Sequence, residues 1–158
     1  MGVRFAAGPV GWYNPGMARD LGSGRPLLDK LGVRFGAAAL LLDWEDDVGF
    51  IELLGERTDG IALAGNDALP EAAGPSSGFD LVFLRVRVPT DLNRIAGLKK
   101  LIKPNGAIWV VRDKGKARTI GDTDVIHAGL AAGLVDNKIA SFSDTLAAMR
   151  LVIRLRDR

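Results

Sequence analysis

The sequence predicts one α/β domain built on a three-layer, doubly wound, mostly parallel sheet of about six strands, the last of them antiparallel. Three observations carry this expectation. Residues 36–43 (GAAALLLD) and 79–88 (FDLVFLRVRV) are short, nearly continuous apolar runs, the pattern of central strands buried on both faces. Segments of helical period lie between the strands, and such alternation implies parallel βαβ units with right-handed crossovers. The chain has 158 residues, 47% hydrophobic and 25% charged, which suffices for one core without disulfides or metals.

Residues 1–24 hold six glycines and two prolines around Trp12 and Tyr13 and show no period, so an irregular arm is expected ahead of a single domain over 25–158. Met17 opens the more domain-like sequence, and residues 1–16 can be the product of an upstream start. A short helix is expected over 25–31, ended by Gly32. After the first apolar run, residues 46–54 suit a helix with Phe50, Ile51 and Leu54 inward, Asp46 and Asp47 at its positive end and Gly55 stopping it. Residues 60–64 form a weak strand, and a loop rich in glycine, alanine and proline leads to the strand over 79–88. Thr90 or Asp91 caps a helix over 92–102 with apolar positions 92, 95, 98 and 102 on one face. Lys99, Lys100 and Lys103 sit at its C-terminal end, where the dipole favours cations. Pro104-Asn105-Gly106 signals a turn into a strand over 107–112. A helix over 122–134 and an antiparallel pair, 137–142 and 149–156, complete the chain. In the last strand Met149, Leu151, Ile153 and Leu155 alternate with Arg150, Val152, Arg154 and Arg156, which gives one apolar and one mostly basic face.

Composition excludes several chemistries. With no cysteine, no disulfide, thiolate nucleophile or zinc–thiolate site can form. The longest apolar stretch, 35–42, is too short to span a bilayer, and the N-terminus is a poor signal peptide; a cytoplasmic protein without a membrane partner is expected. The net charge of +2 conceals an asymmetry: residues 1–84 carry 6 basic and 12 acidic side chains, residues 85–158 carry 15 and 7. Such separation can mark an anionic partner, or two halves that attract each other.

The order of elements resembles the class I methyltransferase fold, a Rossmann-like sheet with a closing antiparallel pair. The stretch Leu101-Ile102-Lys103-Pro104-Asn105-Gly106-Ala107-Ile108-Trp109-Val110 is similar to that family's approach to its fifth strand. The chain also resembles an uncharacterised bacterial family of small methyltransferase-like domains from Arg25 to Arg156. The matching pieces include Pro26 to Val33, Gly49 to Gly55, Trp109 to Lys114, Gly133 to Asp136 and Asp144 to Val152. Leu146 and Ala147 depart from the tryptophan and serine frequent there.

The resemblance implies a cofactor loop after the first strand, in the crevice between the strand ending at Asp43 and that ending near Val88. Asp43 aligns with the family's acid, but its three glycines fall on Glu45, Asp47 and Gly49. Two carboxylates therefore add bulk where backbone must approach S-adenosylmethionine, and negative charge near that molecule's own carboxylate. The acid that would hold the ribose has no counterpart in place, Asp67 coming a few residues late. The short span from Ala64 to Phe79 suggests that one strand and helix of the full fold are missing. No cofactor is expected, and S-adenosylmethionine is disfavoured. No phosphate-binding loop occurs, and Gly22-Ser23-Gly24 lacks a preceding strand.

Other chemistry is sparse. His127, the sole histidine, is expected half-buried and structural beside Ile126 and Leu130. The acids at 43 and 45–47 match no metal loop, so neither a metal nor a catalytic residue is assigned. Arg112, Lys114, Lys116 and Arg118 follow the fifth strand, with Arg85 and Arg87 near the end of the fourth. They can meet a phosphate or carboxylate, or pair with the acids after the first strand. Trp44 is either a flat wall for an aromatic ligand or a core cap. The candidate ligand-binding residues are thus Asp43, Trp44, Glu45, Asp67, Arg85, Arg112, Lys114 and Lys116.

The expected function is that of a non-catalytic methyltransferase-like domain that binds a small anionic ligand or a protein. The alternatives are an S-adenosylmethionine-dependent methyltransferase with an altered loop, and nucleic-acid binding through the basic half, for which no aromatic platform is evident. A homo-oligomer would use the N-terminal arm or the edge strands.

Overall fold

The computed structural model describes residues 3–5, 25–44, 47–65, 78–115 and 118–158. Its elements in order are β1 (Val3–Phe5), α1 (Arg25–Lys30), β2 (Ala37–Leu42), α2 (Val48–Gly55), β3 (Thr58–Ala64) and β4 (Phe79–Arg85). Two 3₁₀ helices follow, Pro89–Gly97 and Lys99–Leu101, then β5 (Ile102–Asp113), α3 (Asp122–Ala131), β6 (Leu134–Ser141), β7 (Leu146–Ile153) and a last 3₁₀ turn. The seven strands form one sheet in the order β1-β3-β2-β4-β5-β7-β6. β2, β3, β4 and β5 run parallel, whereas β1, and β7 between β5 and β6, pair antiparallel. The chain leaves β2 toward β3 on one side and returns to β4 on the other, so strand order reverses between β2 and β4.

Alternate side chains along the central strands face opposite layers. Leu41, Phe83 and Trp109 pack with Leu28 of α1, with Leu31 just beyond it and with Phe50, Ile51 and Leu54 of α2. Leu40, Leu42, Val82, Leu84, Ile108 and Val110 pack on the other side with Leu92, Ile95 and Leu98 of the 3₁₀ segment and Val125 of α3. The three-layer, doubly wound arrangement is therefore as expected, and continuous apolar strands are its cause.

Several elements differ from expectation. The segment expected as a helix over 92–102 is 3₁₀ in two pieces that end at Leu101, and Ile102 already belongs to β5: Leu92, Ile95, Leu98 and Leu101, all buried, recur every three residues, which is the 3₁₀ repeat. Pro104-Asn105-Gly106 lies within β5, where pairing with β4 jumps from Phe79 opposite Ile102 to Leu81 opposite Ala107. Gly106 is required there, because a Cβ would stand 2.8 Å from the Phe79 carbonyl oxygen. β7 is an interior strand with both faces covered: Ala148 and Val152 enter one core, Met149, Leu151 and Ile153 the other. The predicted basic face is thus reduced to Arg150 within the strand. α3 ends at Ala131 and β6 begins at Leu134. Gly55 lies inside α2, which Glu56 caps. His127 is exposed rather than half-buried. Within the arm, Val3–Phe5 is a strand paired antiparallel with the β3 edge; the rest of the arm, and residues 66–77 where a strand and helix are expected to be missing, lie outside the described residues. Among the described residues no helix is long and apolar enough to cross a membrane.

Candidate functional site

The crevice between β2 and β4 is closed from beneath by Trp44. This side chain is 2% exposed, its ring centroid lies 4.8 Å from that of Phe50 and 5.4 Å from that of Phe142, and its Nε1 donates to the Phe83 carbonyl at 3.0 Å. A buried indole with its N–H paired is a packed core group. Of the two roles read for Trp44, the structure shows the core cap.

Asp43 turns the chain at the end of β2 with φ of 68°, a left-handed conformation that asparagine and aspartate tolerate better than most residues. Its backbone N–H donates to Ala64 O at 2.9 Å. The Asp43 carboxylate is 2.6 Å from an Arg87 guanidinium nitrogen, so an ion pair spans the switch point. Asp47 caps α2 by accepting from the Phe50 N–H at 3.1 Å, which explains one substituted glycine position by local structure alone.

Three other rim cations are also paired. Arg85, 11% exposed, holds Asp113 at 2.8 Å and donates to the carbonyls of Val86 and Val111. Arg112 pairs with Asp122 and donates to the Ile120 carbonyl. Lys114 donates to Ser141 Oγ and to Ser143 O, each at 2.6 Å. A cavity of about 260 Å³ remains at the crevice, lined by Trp44, Asp47, Arg85, Arg87, Asp113 and the β6–β7 turn.

Of the predicted site residues, Asp43, Trp44 and Arg85 meet at this crevice. Arg112 lines a separate cavity of about 590 Å³ at the start of α3, and Lys114 is drawn to the β6–β7 turn; neither joins the crevice. Glu45, Asp67 and Lys116 lie outside the described residues. Asp113, missed in the sequence, is fixed two residues beyond the β5 position that faces Arg85, since Arg85 pairs with Val111. Among the described residues no cluster of acids and histidine is placed to hold a metal.

No protein-family model and no curated protein sequence matches the chain. Solved structures do. A SAM-dependent methyltransferase from Aquifex aeolicus superposes with a TM-score of 0.61 at 14% identity, over 82% of this chain and 89% of that one. A ribosomal protein L11 methylase from Lactobacillus delbrueckii subsp. bulgaricus gives 0.59 at 8%, over 82% and 76%. An O-methyltransferase from neocarzinostatin biosynthesis, solved with S-adenosyl-L-homocysteine, gives 0.55 at 7%, over 75% of this chain and 50% of that one. At these identities the likeness speaks for architecture, and the architecture of this chain is the class I methyltransferase-like fold.

Proposed function

We propose that this domain keeps the methyltransferase-like fold without the methyl-transfer chemistry, and acts as a binding module for a small anionic ligand. The observation that carries this reading is the Asp43–Arg87 ion pair laid over the buried Trp44. S-adenosylmethionine bound in the family's manner needs open backbone at the switch point and a carboxylate free to face it. Here the carboxylate aligned with that role faces a guanidinium of the same chain, and the indole occupies the space beneath. These two features speak against that cofactor in the family's binding mode. The carboxyl edge is a poor seat for an anion or for an acidic protein surface alike, because Arg85, Arg87 and Arg112 already have carboxylate partners; the anion is expected elsewhere on the domain.

Calorimetry of the full chain with S-adenosylmethionine and S-adenosylhomocysteine tests the reading. No heat of binding at tens of micromolar protein is expected; micromolar affinity, lost in Asp43→Asn, would overturn it and favour the second reading, a methyltransferase with an altered loop, which the fold likeness supports.

A further inference from the structure

At the opposite, amino-terminal edge of the sheet lies a cavity of about 520 Å³, within the range of small-molecule sites. Arg34, Phe35, Asp80, Lys103, Asn105 and Arg150 line it, brought there by the α1–β2 loop, the start of β4, the out-of-register stretch of β5 and the middle of β7. Gly32 and Gly36, with φ of 72° and 86°, shape the loop that carries Arg34 and Phe35.

The charges here are arranged differently from those at the carboxyl edge. Asp80 has two partners already: Oδ1 lies 3.0 Å from Lys103 Nζ, and Oδ2 accepts from the Ala38 N–H at 2.8 Å. It therefore compensates Lys103 and leaves Arg34 and Arg150. Among the described residues no carboxylate pairs with either of them. Arg150 Nε is buried with no hydrogen-bond partner among the described residues, which is uncommon for a buried donor and costly unless something accepts from it. Burial, and then the neighbouring guanidiniums of Arg158 and Arg34, press Arg150 below the usual guanidinium range. Cations gathered in this way favour an anion by relief of their mutual repulsion.

We propose that this cavity binds a phosphate monoester, its phosphoryl group held by Arg150 and Arg34. A monoester carries about −1.5 to −2 charges at neutral pH and so matches the two guanidiniums that line the cavity without a carboxylate partner; a single carboxylate would leave one of them uncompensated. Guanidinium forks suit phosphate oxygens bidentately, and the Asn105 amide supplies a neutral donor beside them. Phe35, 79% exposed, stands at the mouth with the Arg57 guanidinium 5.3 Å from its ring centroid. An aromatic ring left open at an anion site suits a ligand with a planar apolar body.

The proposal rests on the anion-binding half of the proposed function and not on the state of the β2–β4 crevice. The test is calorimetry and thermal melting of the full chain with inorganic phosphate and with adenosine 5′-monophosphate. Phosphate should bind and raise the melting temperature, Arg34→Gln and Arg150→Gln should each weaken it at least tenfold, and Phe35→Ala should weaken the nucleotide alone. Arg34 is exposed, so its variant reports on the site even if the Arg150 variant folds poorly. Absence of phosphate binding, or equal affinity in Arg34→Gln and the parent, overturns the proposal. S-adenosylmethionine binding in the same titrations would sink the non-catalytic reading and leave this site standing.

Discussion

The two ends of the central sheet solve the same electrostatic problem in opposite ways. At the carboxyl edge Arg85, Arg87 and Arg112 each hold a carboxylate, supplied by Asp113, Asp43 and Asp122. At the amino edge Arg34 and Arg150 share a cavity with one acid, and Lys103 has already claimed it. Ligands of open α/β sheets ordinarily lie at the carboxyl end, so in this chain the geometry of the fold and the distribution of unmatched charge point to different edges. Fold likeness alone would send a search for ligands to the end whose cations are already matched.

Substitutions can break or sharpen this contrast. The largest effect is expected from Trp44→Ala, which removes a buried indole and its hydrogen bond to the Phe83 carbonyl; a loss of about 3–5 kcal/mol is anticipated in urea denaturation. A loss below about 1 kcal/mol would mean that the crevice is not plugged. Next comes Gly106→Ala, whose methyl would meet the Phe79 carbonyl and disturb the stretch that presents Lys103 and Asn105. It should cost about 1–3 kcal/mol and weaken phosphate binding together. Arg150→Met should behave in the opposite sense, holding or raising stability by about 1 kcal/mol in phosphate-free buffer, since it removes a buried donor without a partner. Pronounced destabilisation would show that the guanidinium serves the fold. The smallest effect belongs to Asp43→Asn, which keeps a residue tolerant of the left-handed turn and deletes the ion pair. About 0–1 kcal/mol is expected for such a partly exposed pair, and it should shrink further in high salt.

The sequence made the layers legible because β2 and β4 are buried on both faces and therefore written as unbroken apolar runs. It misled where two periods coincide. Positions 92, 95 and 98 suit one face of an α-helix and a 3₁₀ repeat equally, and only Leu101 distinguishes them. It misled again at β7, where Arg150 suggests a solvated face although Ala148 and Val152 beside it are buried. Asp43, Trp44 and Arg85 could be placed because they close consecutive neighbouring strands. Arg112 and Lys114 could not, because their partners, Asp122 and the turn around Ser143, come from elements whose return path no local pattern encodes. The amino-edge cavity was hidden for the same reason: residues 34, 103 and 150 meet only through the strand order.

Trp44 and Trp109 both lie in the dry interior, with the Trp109 indole N–H donating to the Leu31 carbonyl at 2.9 Å. In a Trp12→Phe background, with excitation at the red edge of the band where tyrosine does not absorb, they would be the two remaining tryptophan emitters, and both should glow at the short wavelengths of an apolar surrounding. A molecule that pries the crevice apart must wet Trp44 and shift its colour to the red, whereas one that settles at the other edge should leave the spectrum where it was. The chain thus carries a built-in optical gauge of which end has been occupied.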